Sequence, residues 1–271
     1  MHYRKDEGDT TKEYGQLFKR GKYHNTNLKH MTKKLLKFQN GNAKLEKGIF
    51  TFSLPSGFTC PGAKDCLAKV NVDTGKMIDG PHQKFRCFSA TMELRPNVRA
   101  ARWYNLEMLK KCDGAEGMAI LIAQSIPPKA KMIRIHVGGD FFSQTYFDAW
   151  LLVAESNPNR VFYAYTKSIP FVKKRWDRVE RLANFRLTSS EGGNYDEVGE
   201  EIGMFKASVV LHPAEAEKES LEIDHDDSHA ILNEGNFALL IHGVQPKDSE
   251  ASGAINRLKS EDVQFSYSTS K

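Results

Sequence analysis

The chain has 271 residues, of which 40% are apolar and 27% charged, with 39 Lys/Arg against 34 Asp/Glu and a net charge of +5. That is enough for one large α/β domain or two small ones, and no apolar run reaches the roughly 18–20 residues that span a bilayer. The opening MHYRKDEGDTTKEY has no apolar signal-peptide core, so the expected location is cytoplasmic, where four cysteines suit metal ligation or core packing better than disulfides.

The charge is unevenly placed. Residues 1–47 hold 12 of the basic and 5 of the acidic residues, leaving 27 basic against 29 acidic residues elsewhere. The segment 1–47 is read as a basic N-terminal arm, either solvated or making salt-sensitive phosphate contacts with a nucleotide or nucleic acid. Leu28, Met31, Leu35 and Leu36 give it a short helical stripe, and Asn40-Gly41-Asn42 ends it.

Residues 48–259 are expected to form the main domain. Ile49–Leu54 reads as a strand, stopped by Pro55-Ser56-Gly57, and Cys60, Cys66 and Cys87 follow. Pro96 opens a helix with Val98, Ala101, Met108, Leu109 and Cys112 on one face, interrupted by Asn105. Cys112 on that stripe is expected to be a core thiol. An apolar helix spans 118–125. Met132–Val137 is a strand ending in Gly138-Gly139-Asp140, and Ser143 caps the helix after it. Val161–Tyr165 is a strand stopping at Thr166-Lys167. Pro170 opens a helix carrying Val172, Trp176, Val179 and Ala183. Phe185–Thr188, Ala207–Leu211 and Phe237–Ile241 are further strands, the last two ending at His212 and His242. The acidic stretch 215–227 reads as loop, and 260–271 as a polar C-terminal tail.

Six apolar strands alternating with helices predict an α/β fold with a mostly parallel sheet. Six units suit a partial (β/α)6 TIM-like barrel, with a doubly wound sheet as the alternative. A barrel puts functional groups at the C-terminal strand ends, where Cys60, His136, Asp140, Lys167 and His242 fall. His136, Lys167 and His242 are the candidate catalytic or substrate-binding residues, and all are expected to converge on one polar mouth.

The spacing C-x5-C-x20-C across Cys60, Cys66 and Cys87 gives three thiolates without a fixed fourth ligand. That set suits an iron–sulfur cluster with one open iron, or zinc if His82 joins them; Cys112, His82 or a small molecule remain as fourth ligands. Gly138-Gly139-Asp140 is either a close-approach turn for a ligand or a plain structural turn. Asp224-His225-Asp226-Asp227-Ser228-His229, with His225 and His229 four apart, is a candidate hard-metal cluster, and Asp226, Asp227 and His229 are candidate acid–base groups, the basis of a metal-dependent hydrolase reading. The other non-redox reading is a zinc-stabilised, non-enzymatic nucleic-acid-binding protein.

The cysteine loop after the first strand and the Gly-Gly-Asp turn after the second resemble the partial (β/α)6 barrel of radical S-adenosylmethionine enzymes. That resemblance implies a 4Fe-4S cluster on Cys60, Cys66 and Cys87 and S-adenosylmethionine held by Gly138, Gly139 and Asp140, although that family spaces its cysteines C-x3-C-x2-C. The segments SLPSGFTCPGAKDC, KFRCFSA, IRIHVGGDFFSQTYFDAW, VFYAYTKS and FALLIHGVQP more closely resemble the bacteriophage gene product 88-like proteins. This implies a phage-encoded chain acting in the host cytoplasm and carries no activity with it. Some members of that family have a second cysteine cluster near the last strand; here IHGVQPKDSEASGAINRL has no cysteine.

Overall fold

The computed structural model describes residues 34–41, 45 and 48–263. The chain divides into two units, Met1–Leu35 and Leu36–Lys271. Most of the arm expected at 1–47, including Leu28 and Met31, lies outside the described residues, as does most of the 260–271 tail. Leu36 is buried, and β1 (Gln39–Asn40) pairs antiparallel with β2 (Ile49–Phe52), so the end of the basic segment is built into the larger unit.

An eight-stranded sheet runs through that unit. After β2 it contains β5 (Met132–Ile135), β6 (Val161–Thr166), β7 (Phe185–Ser190), β8 (Lys206–Val210), β9 (Glu222–Ile223) and β10 (Phe237–Leu240). The order is β1-β2-β5-β6-β7-β8-β10-β9, and every pairing except β1 with β2 is parallel. The six strands expected from the sequence are all present, parallel and adjacent in chain order. Among the described residues β1 and β9 form the two edges and no pairing closes the sheet between them.

Alternation along the strands separates two faces. Phe50, Phe52, Ile133, Ile135, Phe162, Ala164, Phe185 and Leu187 pack with Leu106, Leu109, Ile122, Phe147 and Trp150 of the helices Pro96–Lys110, Gly114–Ser125 and Gln144–Glu155. Further along the sheet, Ala238 and Leu240 pack with Ala251, Ala254 and Leu258 of the helix Glu250–Ser260. The other face carries Ile49, Tyr163, Ala207 and Phe237, against which Ala230 and Ile231 pack. On this face Asp227, fully buried, accepts from Arg134 Nη1 at 2.6 Å and Tyr163 Oη at 2.9 Å through Oδ2, and from Tyr165 Oη at 3.1 Å through Oδ1.

Several elements differ from the sequence reading. The helix from Pro96 buries Arg102, Asn105, Leu106 and Leu109, leaving Val98 and Ala101 half-buried. Asn105 is therefore part of the buried face: its side chain bonds Lys37 N, Lys37 O and Ser53 O. The helix from Pro170 is two short ones, Ile169–Lys173 and Trp176–Glu180. The acidic stretch read as loop holds the helix Pro213–Lys218 and β9. The cysteine loop contains a hairpin, β3 (Ala68–Val70) with β4 (Met77–Asp79). Among the described residues no helix is long and apolar enough to cross a membrane.

Candidate functional site

Residues 53–94 leave β2 and cross the C-terminal ends of the parallel strands. Near its start the segment is held to the end of β5: Leu54 N donates to Gly138 O at 2.8 Å and Val137 N to Phe52 O at 3.0 Å. Farther on it meets the chain beyond β7, with Asp65 N donating to Gly192 O and Asn194 N to Gly62 O, both at 2.9 Å. It finishes at the chain beyond β10. There the Gln245 amide takes the Arg86 N–H at 2.7 Å and donates to the Arg86 carbonyl at 3.1 Å, and the Phe88 and His242 rings lie 4.5 Å apart. Glu93 and Arg102 clamp the two ends together. Glu93 Oε1 accepts from Ser56 N at 2.7 Å and Arg102 Nη1 at 2.6 Å, and Arg102 Nη1 also donates to Ser89 O at 2.9 Å.

This crossing roofs a cavity of about 150 Å³. Cys60, Cys66 and Cys87 line it together with His136, Gly138, Gly139, Asp140, Lys167 and His242. The residues expected to converge on one mouth therefore do so, brought by β2, β5, β6 and β10. Other candidates lie elsewhere. Cys112 is half-buried at the end of its helix, its thiol 3.5 Å from Met108 O. His82 is exposed. His212 caps a helix and pairs with Glu261. Neither Asp226, Asp227 nor His229 lines the cavity; Asp227 is occupied by Arg134 and the two tyrosines.

All four cysteines are free thiols. Burial pushes the Cys60 thiol well above its usual range, with the Asp140 and Cys87 charges adding to the effect. Cys66 is pushed up to about 12, again mainly by burial, against the lowering influence of Lys167. Cys87 is raised by burial while the backbone N–H groups of Ala90 and Ser89 and the charges of Arg102 and Lys167 pull the other way. The Gly57 N–H donates to Cys60 Sγ at 3.3 Å. Burial thus favours the neutral thiols, against donors and cations that favour the thiolate form.

Lys167 is held by acceptors rather than free to move. Its ammonium donates to Ser190 O at 2.6 Å, Ser190 Oγ at 2.9 Å and Glu191 O, which uses its three protons. It is a fixed cation beside the thiols. Asp140 is likewise engaged: Oδ1 accepts from Thr166 Oγ1 at 2.6 Å and Phe141 N at 2.7 Å, and Oδ2 from Lys167 N at 2.8 Å. Burial raises its pKa against those hydrogen bonds. The two glycines before it make room for protein. A Cβ on Gly138 would strike the Ser89 and Arg102 side chains, and one on Gly139, where φ is +84°, would come within 2.5 Å of Thr59 Oγ1. The turn seats the cysteine segment on β5.

The histidines differ. His242 Nδ1 lies 3.0 Å from Leu240 O, so that nitrogen carries a proton. His136 is buried, with Nε2 2.9 Å from the Tyr146 hydroxyl, and burial lowers its pKa to about 3. Arg134 and Tyr165 also line the cavity; the sequence reading has Arg134 inside a strand run and Tyr165 as the end of its strand, and gives neither a role.

The family model for gene product 88 matches residues 24–258. The chain belongs to the gene product 88 family. Similar members are the Gene 88 proteins of Mycobacterium phage L5 and Mycobacterium phage D29, each 34% identical over 154 residues, covering 52% of this chain and 54% of the relative. The chain thus spans about half the length of the curated relatives it matches. No solved structure matches it.

Proposed function

We propose that this gene product 88 family member is an iron–sulfur protein in which Cys60, Cys66 and Cys87 hold a 4Fe-4S cluster at the mouth of an open, partial (β/α)6 barrel. The observation that carries the reading is the meeting of three free thiols with fixed cations in one cavity at the C-terminal strand ends. Sequentially ordered parallel strands with the longer helices packed on one face support the partial-barrel description.

The donor set fits such a cluster. Its ligands are cysteine thiolates, each on a different iron, so the sulfurs need not close on one point. Among the described residues no three His, Cys, Asp or Glu side chains gather closely enough to hold a single metal ion. A zinc ion needs its ligands within about 2.3 Å, and the exposed His82 does not serve as one in the arrangement seen. A 4Fe-4S cluster supplies electron transfer and, at an iron without cysteine, a point for anchoring a small molecule. The chain contributes the Gly57 N–H to the Cys60 sulfur, the Lys167 and Arg102 charges, and an apolar wall of Phe88, Val209, Leu239 and Ile241 that limits water. The Gly138-Gly139-Asp140 turn does not fit a seat for S-adenosylmethionine, because side chains fill the space beside both glycines and Asp140 already accepts three hydrogen bonds. No step through that cofactor is derived.

Anaerobic production followed by iron and acid-labile sulfide analysis tests the proposal. Wild-type protein should be brown and carry both elements. Cys60→Ala, Cys66→Ala and Cys87→Ala should each lose them, and Cys112→Ser should keep them. A chain that takes up zinc and no iron, or that needs Cys112, would overturn the reading.

A further inference from the structure

The excess of basic residues does not stop at the N-terminal segment. Residues 48–111 hold 10 Lys/Arg against 5 Asp/Glu, and residues 112–271 hold 17 against 24. The small negative balance of residues 48–271 is therefore the sum of a basic stretch and an acidic one. Three of the five acidic residues in 48–111 are already paired: Asp65 with Lys84 at 2.7 Å, Asp79 with Arg86 at 2.6 Å and Glu93 with Arg102 at 2.6 Å. Among the described residues the other seven basic side chains of the stretch make no ion pair. Only Asp73 and Glu107 oppose them within it.

The fold gathers several of these cations around exposed aromatic surface. The Phe58 ring, 42% exposed, meets the ring of Trp103 in the helix Pro96–Lys110, with centroids 5.0 Å apart. Lys69 Nζ, on β3, lies 5.1 Å from the Phe58 centroid. At the turn of the β3–β4 hairpin an added Cβ on Gly75 would lie 3.3 Å from Arg99 Nη2. Arg99, one helical turn before Trp103, therefore reaches the turn that carries the exposed Lys76. At the next helix position, Lys37 Nζ lies 4.8 Å from the Tyr104 centroid. Lysine–aromatic pairs thus sit at Trp103 and at Tyr104 on one helix. Cations without acidic partners attract a polyanion. An exposed ring among them adds a flat apolar face, and a nucleobase can cover such a face only when it is not already stacked in a duplex.

We propose that this surface binds single-stranded nucleic acid, with a base stacked on Phe58 and the phosphates held by Lys69, Lys76 and Arg99. The inference does not depend on the iron–sulfur reading.

The full chain is titrated by fluorescence anisotropy with a labelled oligothymidylate and with a duplex of the same length. The single strand should bind more tightly. Lys69→Glu combined with Lys76→Glu should weaken that binding about tenfold and flatten its salt dependence. Two reversals in the acidic part of the chain, Lys218→Glu with Lys259→Glu, both at exposed positions, change net charge equally and should leave the affinity close to wild type. Phe58→Ala should cost about fivefold at every salt concentration, and Phe58→Trp, which keeps a ring, should restore it. Residues 1–35 are present in every sample, so whatever they contribute is common to all. Several results overturn the proposal: no binding of the single strand, tighter binding of the duplex, or equal losses from the two lysine pairs. So does binding to phosphatidylserine vesicles without binding to the oligonucleotide, which would assign the surface to a membrane. A folded Phe58→Ala chain that binds as wild type overturns it too. If that variant does not fold, the comparison of the two lysine pairs decides.

Discussion

Arg102 and Glu93 are 4% and 0% exposed, and their contact at 2.6 Å fixes both ends of the cysteine segment. Sequence rules put such charges on the surface, because a charge is buried only with a partner. The apolar periodicity places Val98, Ala101, Met108, Leu109 and Cys112 on the buried stripe with Asn105 as an interruption, whereas Arg102 and Asn105 are buried and Val98 and Ala101 only half-buried. Cys60, His136 and Lys167 were legible because they stand just past recognisable strands; the hydrogen bonds that fix Lys167 and Asp140 were not, since their partners lie 23 to 27 residues away. His136 gives a pH prediction. Its folded pKa lies below the usual 6.5, at about 3, so the unfolded chain takes up the proton first. Its contribution to stability is full above about pH 6.5 and falls as pH drops toward 3, by up to about 1.4 kcal/mol per pH unit. Asp140, raised by burial, acts in the opposite direction, so the comparison must be with a variant. Denaturant unfolding at several pH values should give His136→Asn a flatter acid limb than wild type, by close to one proton. Equal slopes would mean that the ring is already charged in the folded state.

At the scale of elements, the six strands were readable from their apolar runs and the polar turns that stop them. The β3–β4 hairpin was not, since each strand has three residues and the turn between them depends on Asn71, whose Oδ1 accepts from Asp73 N and Thr74 N. The split of the helix from Pro170 was not readable either, because the apolar periodicity continues across it and the break shows only in the backbone at Arg175, with φ −131°. How closely the cysteine segment lies on the strand ends is clearest at Gly62, where an added Cβ would overlap the Lys167 carbonyl oxygen. Gly62→Ala should therefore push Cys60 and Cys66 away from β6. The expected loss is about 1–3 kcal/mol of stability with reduced iron content, measured by thermal melting and metal analysis of the same preparation. Unchanged iron content would mean that the thiols do not depend on this seating.

For the molecule as a whole, the basic charge and the proposed site belong to different parts of the chain. Residues 48–271 carry a small negative excess and contain all the lining cysteines. If the N-terminal segment contacts nucleic acid, affinity should fall steeply with salt and be lost on deleting 1–35, a cut that spares Leu36 and β1. Filter binding of wild-type and truncated chains across a salt series checks this, and undiminished binding by the truncated chain would move the contact to the larger unit. The open sheet was anticipated from a count of six strands. What spans it was not: the Gln245 side chain grips the Arg86 peptide across 159 residues of sequence. That grip has a consequence for synthesis. At a translation rate of roughly 5–20 residues per second, Gln245 leaves the ribosome about 8–30 s after Arg86. Through nearly all of that interval the nascent chain carries all three cysteines without the last parallel strand or the loop that completes their wall, so the thiols meet solvent, metals and oxidants before they have a cavity to line.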